Sequence, residues 1–429
     1  RRGESNSMTV TVSAARQAVI VTGEGSVSVG GRGATSVTEE PQTVQVVGSG
    51  ASVMVAPSAA TVSVSSGSAS QRQAYIDIRD YGAVGDDSTD CTEAFEAAFA
   101  EAGSDYFLGG GFEFPGSTGA QVLVPAGVFR HSDIVIPNNV TLTGLGRTTS
   151  ALRPLSGTTV GVTVSKFACL RDLYIRGGGV SGDIVRVAGA RSQVRDVHIN
   201  GDNTSARGLA VFDSSGSSPF YAPQFSNLVI EAVNGNAVYV GVSDSQWVNI
   251  WVASGDGIGF YVAGTNTAVT NLHVWERGSY GVFLSTSAAS NRFVNSYIET
   301  NSRVGVICYG FENTFSTGRI WKNTDGGVQV ISDQAGQTPM RNRFLGIEFR
   351  ENKTTASVRF TGAYQNVVSG CIFSDPFFDA TWAVQETDSA HVASDYNVID
   401  NSNIIVSADF SSGPVSLVGA HSVNGAVVA

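Results

Sequence analysis

The stretch QWVNIWVASGDGIGFYV, residues 246–262, decides how this chain folds. It reads as two short apolar segments that alternate with period two, separated by a polar corner, which is the pattern of β-strands. Neither segment is long enough to make a core alone. Segments of the same design recur on both sides: CLRDLYIRG, QVRDVHING, QFSNLVIEA, AVTNLHVWE, RFVNSYIET, TFSTGRIWK, RFLGIEFRE and NVVSGCIFS. Their leading apolar residues, with Trp247 among them, are Leu170, Val194, Phe225, Trp247, Val269, Phe293, Phe315, Phe344 and Val367, at steps of 24, 31, 22, 22, 24, 22, 29 and 23 residues. A repeat of this length implies a solenoid, because propeller blades need about 40 residues or more. Each segment is followed by a second alternating one, such as NAVYVGV, IGFYVAG, YGVFLST, VGVICYG, GVQVISD or ASVRFTG, so each coil carries at least two strands. Equivalent strands stacked in parallel then bury one continuous core that no single coil could bury.

Stacking sorts the side chains into columns. Leu228, Ile250 and Leu272, and Ile230, Val252, Val274, Ile298 and Ile320, are expected to point inward. Asn227, Asn249, Asn271 and Asn295 hold one position in four successive coils, which predicts a ladder of side-chain amides at a turn. Two columns are expected to point outward. One runs Tyr174, His198, Val229, Trp251, His273, Tyr297, Arg319, Glu348, Cys371, and the other Arg176, Asn200, Glu231, Ala253, Trp275, Glu299, Trp321, Arg350, Phe373.

An idle solvent face would be Ser, Thr and Lys, whereas these columns gather three of the five tryptophans with Tyr, His, Arg and Glu. Trp251, His273, Trp275, Tyr297, Arg319, Trp321 and Arg350 are therefore the candidate binding residues. Flat rings stack on sugar faces, and the polar groups suit hydroxyl rims. A subunit interface would draw on the same residue types. Glycoside hydrolysis needs two carboxyl groups, about 5–5.5 Å apart for retention and about 6.5–9.5 Å for inversion. Glu299 and Glu348 lie two coils apart, about 9.6 Å at about 4.8 Å per coil, and Glu276 lies one coil from Glu299. Glu299, between Tyr297 and Trp321, is the candidate general acid, with Glu348 or Glu276 to activate water. A lyase would need a base with Arg319, Arg350 or Lys322 to stabilise an enolate, and the sequence offers no aspartate cluster for calcium. No metal site and no cofactor are expected.

The charge, 26 − 37 = −11, offers no footprint for nucleic acid or for anionic membranes, and no apolar run reaches the roughly 20 residues of a membrane span. RRGESNSMTVTV lacks the apolar segment of a secretory signal. Cys91, Cys169, Cys308 and Cys371 lie far apart and are expected to be buried, unpaired side chains.

Residues 1–70 are short alternating stretches without an aromatic residue, which suggests a small β-rich attachment or oligomerisation segment, ending in the linker-like SSGSASQRQ. Residues 71–150 open with YIDIRDYGAVGDDSTDCTEAFEAAFAEAG, where Asp90 and Glu93 predict a capping box, Phe95 and Phe99 one face of a short helix, and Gly103 its end. Residues 151–410 form the body of the repeat, and 411–429 supply closing strands.

DYGAVGDDSTDCTEAFEAAF, followed by VLVPAGVF and VTLTGLG, resembles the opening segment of the pectate-lyase-like superfamily, which includes phage tailspikes and exopolysaccharide depolymerases. The match covers about residues 75–147 and departs from the family at Cys91, where a second aspartate is usual, and in the longer GSDYFLGGGFEFPGSTG loop. The resemblance implies an all-β, right-handed parallel β-helix capped by that helix. It also implies the phage context, but not the chemistry, since the superfamily holds lyases, hydrolases and inactive binders; with the outward columns and their glutamates, the expectation is a homotrimeric, tailspike-like virion protein that binds a bacterial surface polysaccharide and hydrolyses it, its N-terminal segment contacting other virion proteins. A non-catalytic receptor-binding spike, a polysaccharide lyase and an extracellular bacterial enzyme are the other readings.

Overall fold

The computed structural model describes residues 75–103, 120–204, 206–212, 221–332, 338–353, 356–374, 384–385 and 397–400 in full, and elsewhere the backbone of individual strands. The expected linker after Ser65 and the loop at 104–119 lie outside the described residues. The chain divides into two units, Arg1–Tyr75 and Ile76–Ala429. In the first, Thr9–Ser13 pairs antiparallel with Ala18–Thr22, while Ala34–Ser36 pairs with Ser52–Met54 and Thr43–Val47 with Thr61–Ser65 in parallel.

The second unit is a right-handed parallel β-solenoid entered through one α-helix, Thr92–Gly103. Phe95 and Phe99 pack 6.0 Å apart on the helix's buried face. Its start differs from the expected capping box. The Asp90 carboxylate accepts from the Thr92 N–H at 3.0 Å, and exposed Glu93 makes no return bond among the described residues. Gly103 is the last helical residue.

Two sheets of 22 and 11 strands run through the unit, parallel throughout except where His421–Val423 pairs antiparallel with Ala426–Val428. Coil-to-coil register follows the repeat: Phe225 pairs with Trp247, Trp247 with Val269, Val269 with Phe293, Phe293 with Phe315 and Phe315 with Phe344. The second segments stack likewise, from Val238–Val240 through Phe260–Val262, Val282–Leu284 and Val306–Cys308 to Val328–Ile331. Leu228, Ile250, Leu272, Ile230, Val252, Val274, Ile298 and Ile320 are all buried, and Phe225 stacks on Trp247 at 3.7 Å and Phe293 on Phe315 at 4.4 Å inside. Full burial of each such side chain contributes about 1.5–3 kcal/mol. The four cysteines are buried and free.

One register expectation fails. Phe344 pairs with Val368, not Val367, and Glu348 and Arg350 pair with Ile372 and Ser374. The last outward columns therefore end on Ile372 and Ser374, while Cys371 and Phe373 point into the core. The coil is one residue longer than the sequence segmentation gave, and with a side-chain period of two a single residue exchanges the two faces.

Left-handed residues make the corners. Asp172, Asp196, Asn227, Asn249, Asn271, Asn295 and Thr317 form one file with φ between 54° and 58°, each inside a continuous strand. A left-handed residue there turns the chain, so the residues before and after it lie on different faces. Asn and Asp tolerate this conformation better than other side-chain-bearing residues. The predicted amide ladder forms at this file: Asn249, Asn271 and Asn295 each donate Nδ2 to the Oδ1 of the preceding asparagine at 2.9, 2.9 and 2.7 Å, and Asn227 donates to Asp196 at 3.0 Å.

Two further amide ladders are buried. Asn291, Asn313, Asn342, Asn366 and Asn397 form one, with Nδ2 to Oδ1 distances of 2.9, 3.1, 3.0 and 2.9 Å. Asn301, Asn323 and Asn352 form the other. Each Oδ1 also takes a backbone N–H of the preceding coil, so the ladders satisfy corner groups that water does not reach. One coil before Asn301 the chain places Arg277, fully buried, whose guanidinium donates to the carbonyls of Val233 at 2.6 Å, Gly235 and Gly257 at 3.1 Å, and Ser254.

Candidate functional site

The two expected outward columns lie on the half-strands after the Asn corner. Val229, Trp251, His273, Tyr297, Arg319 and Glu348 are successive partners in one, and Glu231, Ala253, Trp275, Glu299, Trp321 and Arg350 in the other. Trp251 and Tyr297 are 48% and 43% exposed, large values for rings within a sheet. Trp251 stacks on His273 at 5.8 Å and meets Trp275 at 4.9 Å; His273 also touches Trp275 at 4.6 Å and the Tyr297 ring edge at 5.9 Å. Arg319 then lies 5.9 Å from the Tyr297 ring and 5.8 Å from Trp321, and Lys322 and Arg350 cover Trp321 at 4.4 and 5.6 Å. The candidate binding residues thus form one continuous surface of rings and cations across five coils.

The carboxylates are held in this surface. Glu299 Oε1 accepts from His273 Nε2 at 2.8 Å, reaching back one coil, and Glu348 accepts from Arg319 at 2.7 Å in the same sense. A similar pair, His198 and Glu231 at 3.0 Å, stands three coils before His273. Glu299 and Glu348 occupy different columns, so a lateral offset of two residues, about 6.6 Å, adds to the two-coil rise and puts their Cα atoms about 12 Å apart. Glu276 is exposed at a corner residue with φ 53°, beyond the end of its strand.

Glu351, absent from the sequence reading, lies almost buried beside these residues, 3.0 Å from Arg350 and 3.5 Å from Lys322. Burial pushes its carboxyl up, but the nearby Trp321 indole, Arg350 and Lys322 together outweigh burial and hold it below the usual carboxylate range. It keeps both cations in place over Trp321. No group of three or more His, Cys, Asp or Glu side chains suited to a metal occurs among the described residues, and no helix there is long and apolar enough to cross a membrane.

Two other surface features escaped the sequence reading. On the second sheet Tyr239, Tyr261 and Phe283 stack at 5.1 and 4.9 Å, with Arg207 5.0 Å from Tyr239. The middle letters of VYV, FYV and VFL carried that signal, since they alternate with buried neighbours. On the half-strands before the Asn corner, an open groove of about 600 Å³ is lined by Asn266, Ser290, Arg292, Glu312, Arg341 and Arg343, among others. It lies on a different face from the aromatic columns because the left-handed corner separates Arg292 from Tyr297.

Residues 75–307 match the family described as rhamnogalacturonase A/epimerase, pectate lyase-like, and the chain belongs to that family of right-handed β-helix proteins. No curated protein matches it in sequence. Among solved structures it is similar to the mannuronan C-5 epimerase AlgE4 A-module of Azotobacter vinelandii, at 17% identity and TM-score 0.54, over 81% of this chain and 99% of that one. It is also similar to tailspike protein 2 of Escherichia coli O157:H7 bacteriophage CAB120, at 13% identity and TM-score 0.52, over 81% of this chain and 46% of that one. A third similar structure is the catalytic unit of a GH87 α-1,3-glucanase from Streptomyces thermodiastaticus, at 15% identity and TM-score 0.52, over 86% and 68%. At these identities the likeness is one of fold. Family and fold together place the chain among the pectate-lyase-like β-helix proteins.

Proposed function

We propose that this chain is a tailspike-like protein that lays a bacterial surface polysaccharide along the Trp251–Arg350 face and hydrolyses it. The observation that carries the reading is the unbroken contact of Trp251, His273, Trp275, Tyr297, Arg319 and Trp321 across adjoining coils. Rings held in contact at coil spacing offer a sugar chain successive platforms, and the His–Glu and Arg–Glu pairs present fixed hydrogen-bonding groups to its hydroxyls.

Within this proposal Glu299 is the acid, and Glu348, or Glu276 around the corner, activates water. The Cα separation of about 12 Å suits inversion only if both side chains lean toward the scissile bond on binding. The proposal includes a homotrimer placed on a virion, with residues 1–70 as the attachment segment. The chain's similarity in fold to a tailspike supports the virion setting.

The test is incubation of the full chain with purified capsular and lipopolysaccharide glycans, measuring both retention on the glycan and release of reducing ends. Release that disappears in Glu299→Gln while retention persists supports the enzyme. Retention without release by the wild type leaves a receptor-binding spike. An unsaturated product absorbing in the ultraviolet identifies a lyase, and absence of retention refutes the reading.

A further inference from the structure

The second sheet shows one side chain per strand to the outside, because Val238–Val240, Phe260–Val262 and Val282–Leu284 each bury their two end residues and leave the middle one partly exposed. Along successive partners this outward column runs Tyr239, Tyr261, Phe283, Ile307 and Gln329. Tyr309 closes on Phe283 at 5.5 Å, and Phe311 beside it is 42% exposed. Residues 238–243, 260–265, 282–287, 306–311 and 328–332 contain no Asp, Glu, Lys or Arg. Five adjoining coils thus share an uncharged face in a chain with 26 basic and 37 acidic residues. Cations return at its borders: Arg207 lies 5.0 Å from the Tyr239 ring, and Arg359 pairs in register with Gln329.

Loss of charge, with Tyr and Phe at the centre and Arg at the edge, is the composition of the middle of a protein–protein interface. Tyr239, Tyr261 and Phe283 lie parallel within 16° and 9° and only partly exposed, so they make a flat wall where Trp251 makes a projecting ring. Spacing and symmetry choose the partner. The ring centroids follow each other at 5.1 and 4.9 Å, the rise of one coil, and another parallel sheet of the same rise meshes with such ridges layer after layer. A second copy of this chain supplies one. When copies stand side by side in register about an axis along the stack of coils, each residue near the axis faces its own counterpart, and a charged one would repel itself. The uncharged column meets that condition, whereas the outward columns of the first sheet carry Glu231, Arg292, Glu299, Arg319, Arg343 and Glu348. Eleven strands make the second sheet. At about 4.8 Å each they span about 53 Å, and with a width of about 15 Å the face offers roughly 800 Å², the share one partner brings to a standard interface.

We infer that copies of this chain associate through the second sheet, side by side and in register, with Tyr239, Tyr261 and Phe283 around the shared axis, and not through the Trp251–Arg350 face. The inference rests on the homotrimer proposed above and names the surface that makes it.

The test is sedimentation velocity of the full chain between about 1 and about 50 µM. Wild type should sediment as an oligomer. The Tyr261→Glu, Phe283→Glu double variant should shift to monomer, a weakening of at least about a hundredfold, because like charges then meet across the axis. Trp251→Glu with Tyr297→Glu puts the same charges on the first sheet and should leave the oligomer intact. A second readout leaves the assembly undisturbed and decides where the charge variant does not fold. The four native cysteines are buried, so Phe283→Cys should give disulfide-linked dimers on oxidation with diamide, and Tyr297→Cys should give none. A wild type that is monomeric throughout refutes the homotrimer and the inference together. An oligomer that survives the Tyr261→Glu, Phe283→Glu change, or that cross-links at position 297 and not at 283, overturns the inference alone and leaves the homotrimer standing on another face.

Discussion

Replacing Asn342 by Ala removes one rung of the longer buried ladder. Asn342 Oδ1 accepts the Asn313 backbone N–H at 3.0 Å and Asn313 Nδ2 at 3.1 Å, and its own Nδ2 donates to the Gly310 carbonyl and to Asn366 Oδ1, both at 3.0 Å. Asn313 Nδ2 keeps the Ala288 carbonyl and Asn366 Oδ1 keeps the Asn342 backbone N–H, so two groups lose their strong partner, the Asn313 N–H outright and the Gly310 carbonyl down to the weak Cys308 thiol at 3.7 Å. A buried polar group left unpaired costs about 1–3 kcal/mol, so the loss is about 2–6 kcal/mol and centres near 4 kcal/mol. The exposed ladder provides the control. Asn271→Ala breaks bonds of similar length, but water replaces them, and the remaining cost is mainly that of Ala at φ 57°, about 1 kcal/mol. Chemical denaturation of the full chain, followed by the fluorescence of buried Trp247, measures both. A loss below about 1 kcal/mol for Asn342→Ala, or losses of equal size for the two variants, would refute the claim that burial gives the inner ladder its weight.

Burial pushes the His131 imidazole down to about 4, against the pull of its bond to the Ser132 carbonyl. The unfolded chain takes up a proton near pH 6.5 that the folded one refuses, so stability is intact above pH 6.5 and falls by about 3 kcal/mol as pH drops to 4. Denaturation midpoints across that window should slope for wild type and flatten for His131→Asn. Arg277→Lys keeps the charge but not the fork that reaches four carbonyls. It should cost about 2–4 kcal/mol in the same denaturation assay, and a loss under about 0.5 kcal/mol would contradict the account. Gly264→Ala would place a methyl 1.7 Å from the Val242 carbonyl oxygen, and should lower soluble yield and melting temperature sharply. Gly346→Asn, at φ 61° with open space around it, should leave both unchanged.

The columns were readable from the sequence because period two leaves little choice once the register is known: Trp251, His273 and Tyr297 fell into line from steps of 22 and 24 residues. The reading slipped where coil length changed without a conspicuous marker, in NVVSGCIFS. There Val367 and Val368 are equally apolar, and only the paired strands decide which faces inward. The buried ladders were less legible. Asn291, Asn313, Asn342 and Asn366 all stand two residues before a core position, yet a polar residue at a strand entrance reads as a surface turn unless its burial is known. The arginine groove was hidden for a geometric reason. Arg292 and Tyr297 belong to one strand, and only the left-handed Asn295 between them sends their side chains to separate faces.

The amide ladders also have a direction. In the outer one each side chain hands a proton back to the coil before it and the series ends on the Asp196 carboxylate, while in the inner one each amide from Asn291 to Asn366 hands a proton forward to the next asparagine and Asn397 closes the row. Side-chain dipoles that would accumulate along either row therefore run opposite to each other, and neither tip of the stack need carry the summed polarity of both. A coil transplanted upside down would meet donor with donor on one side and acceptor with acceptor on the other, so head and tail are distinguished in each layer that carries a row, and twice in the coil of Asn291 and Asn295, which carries both.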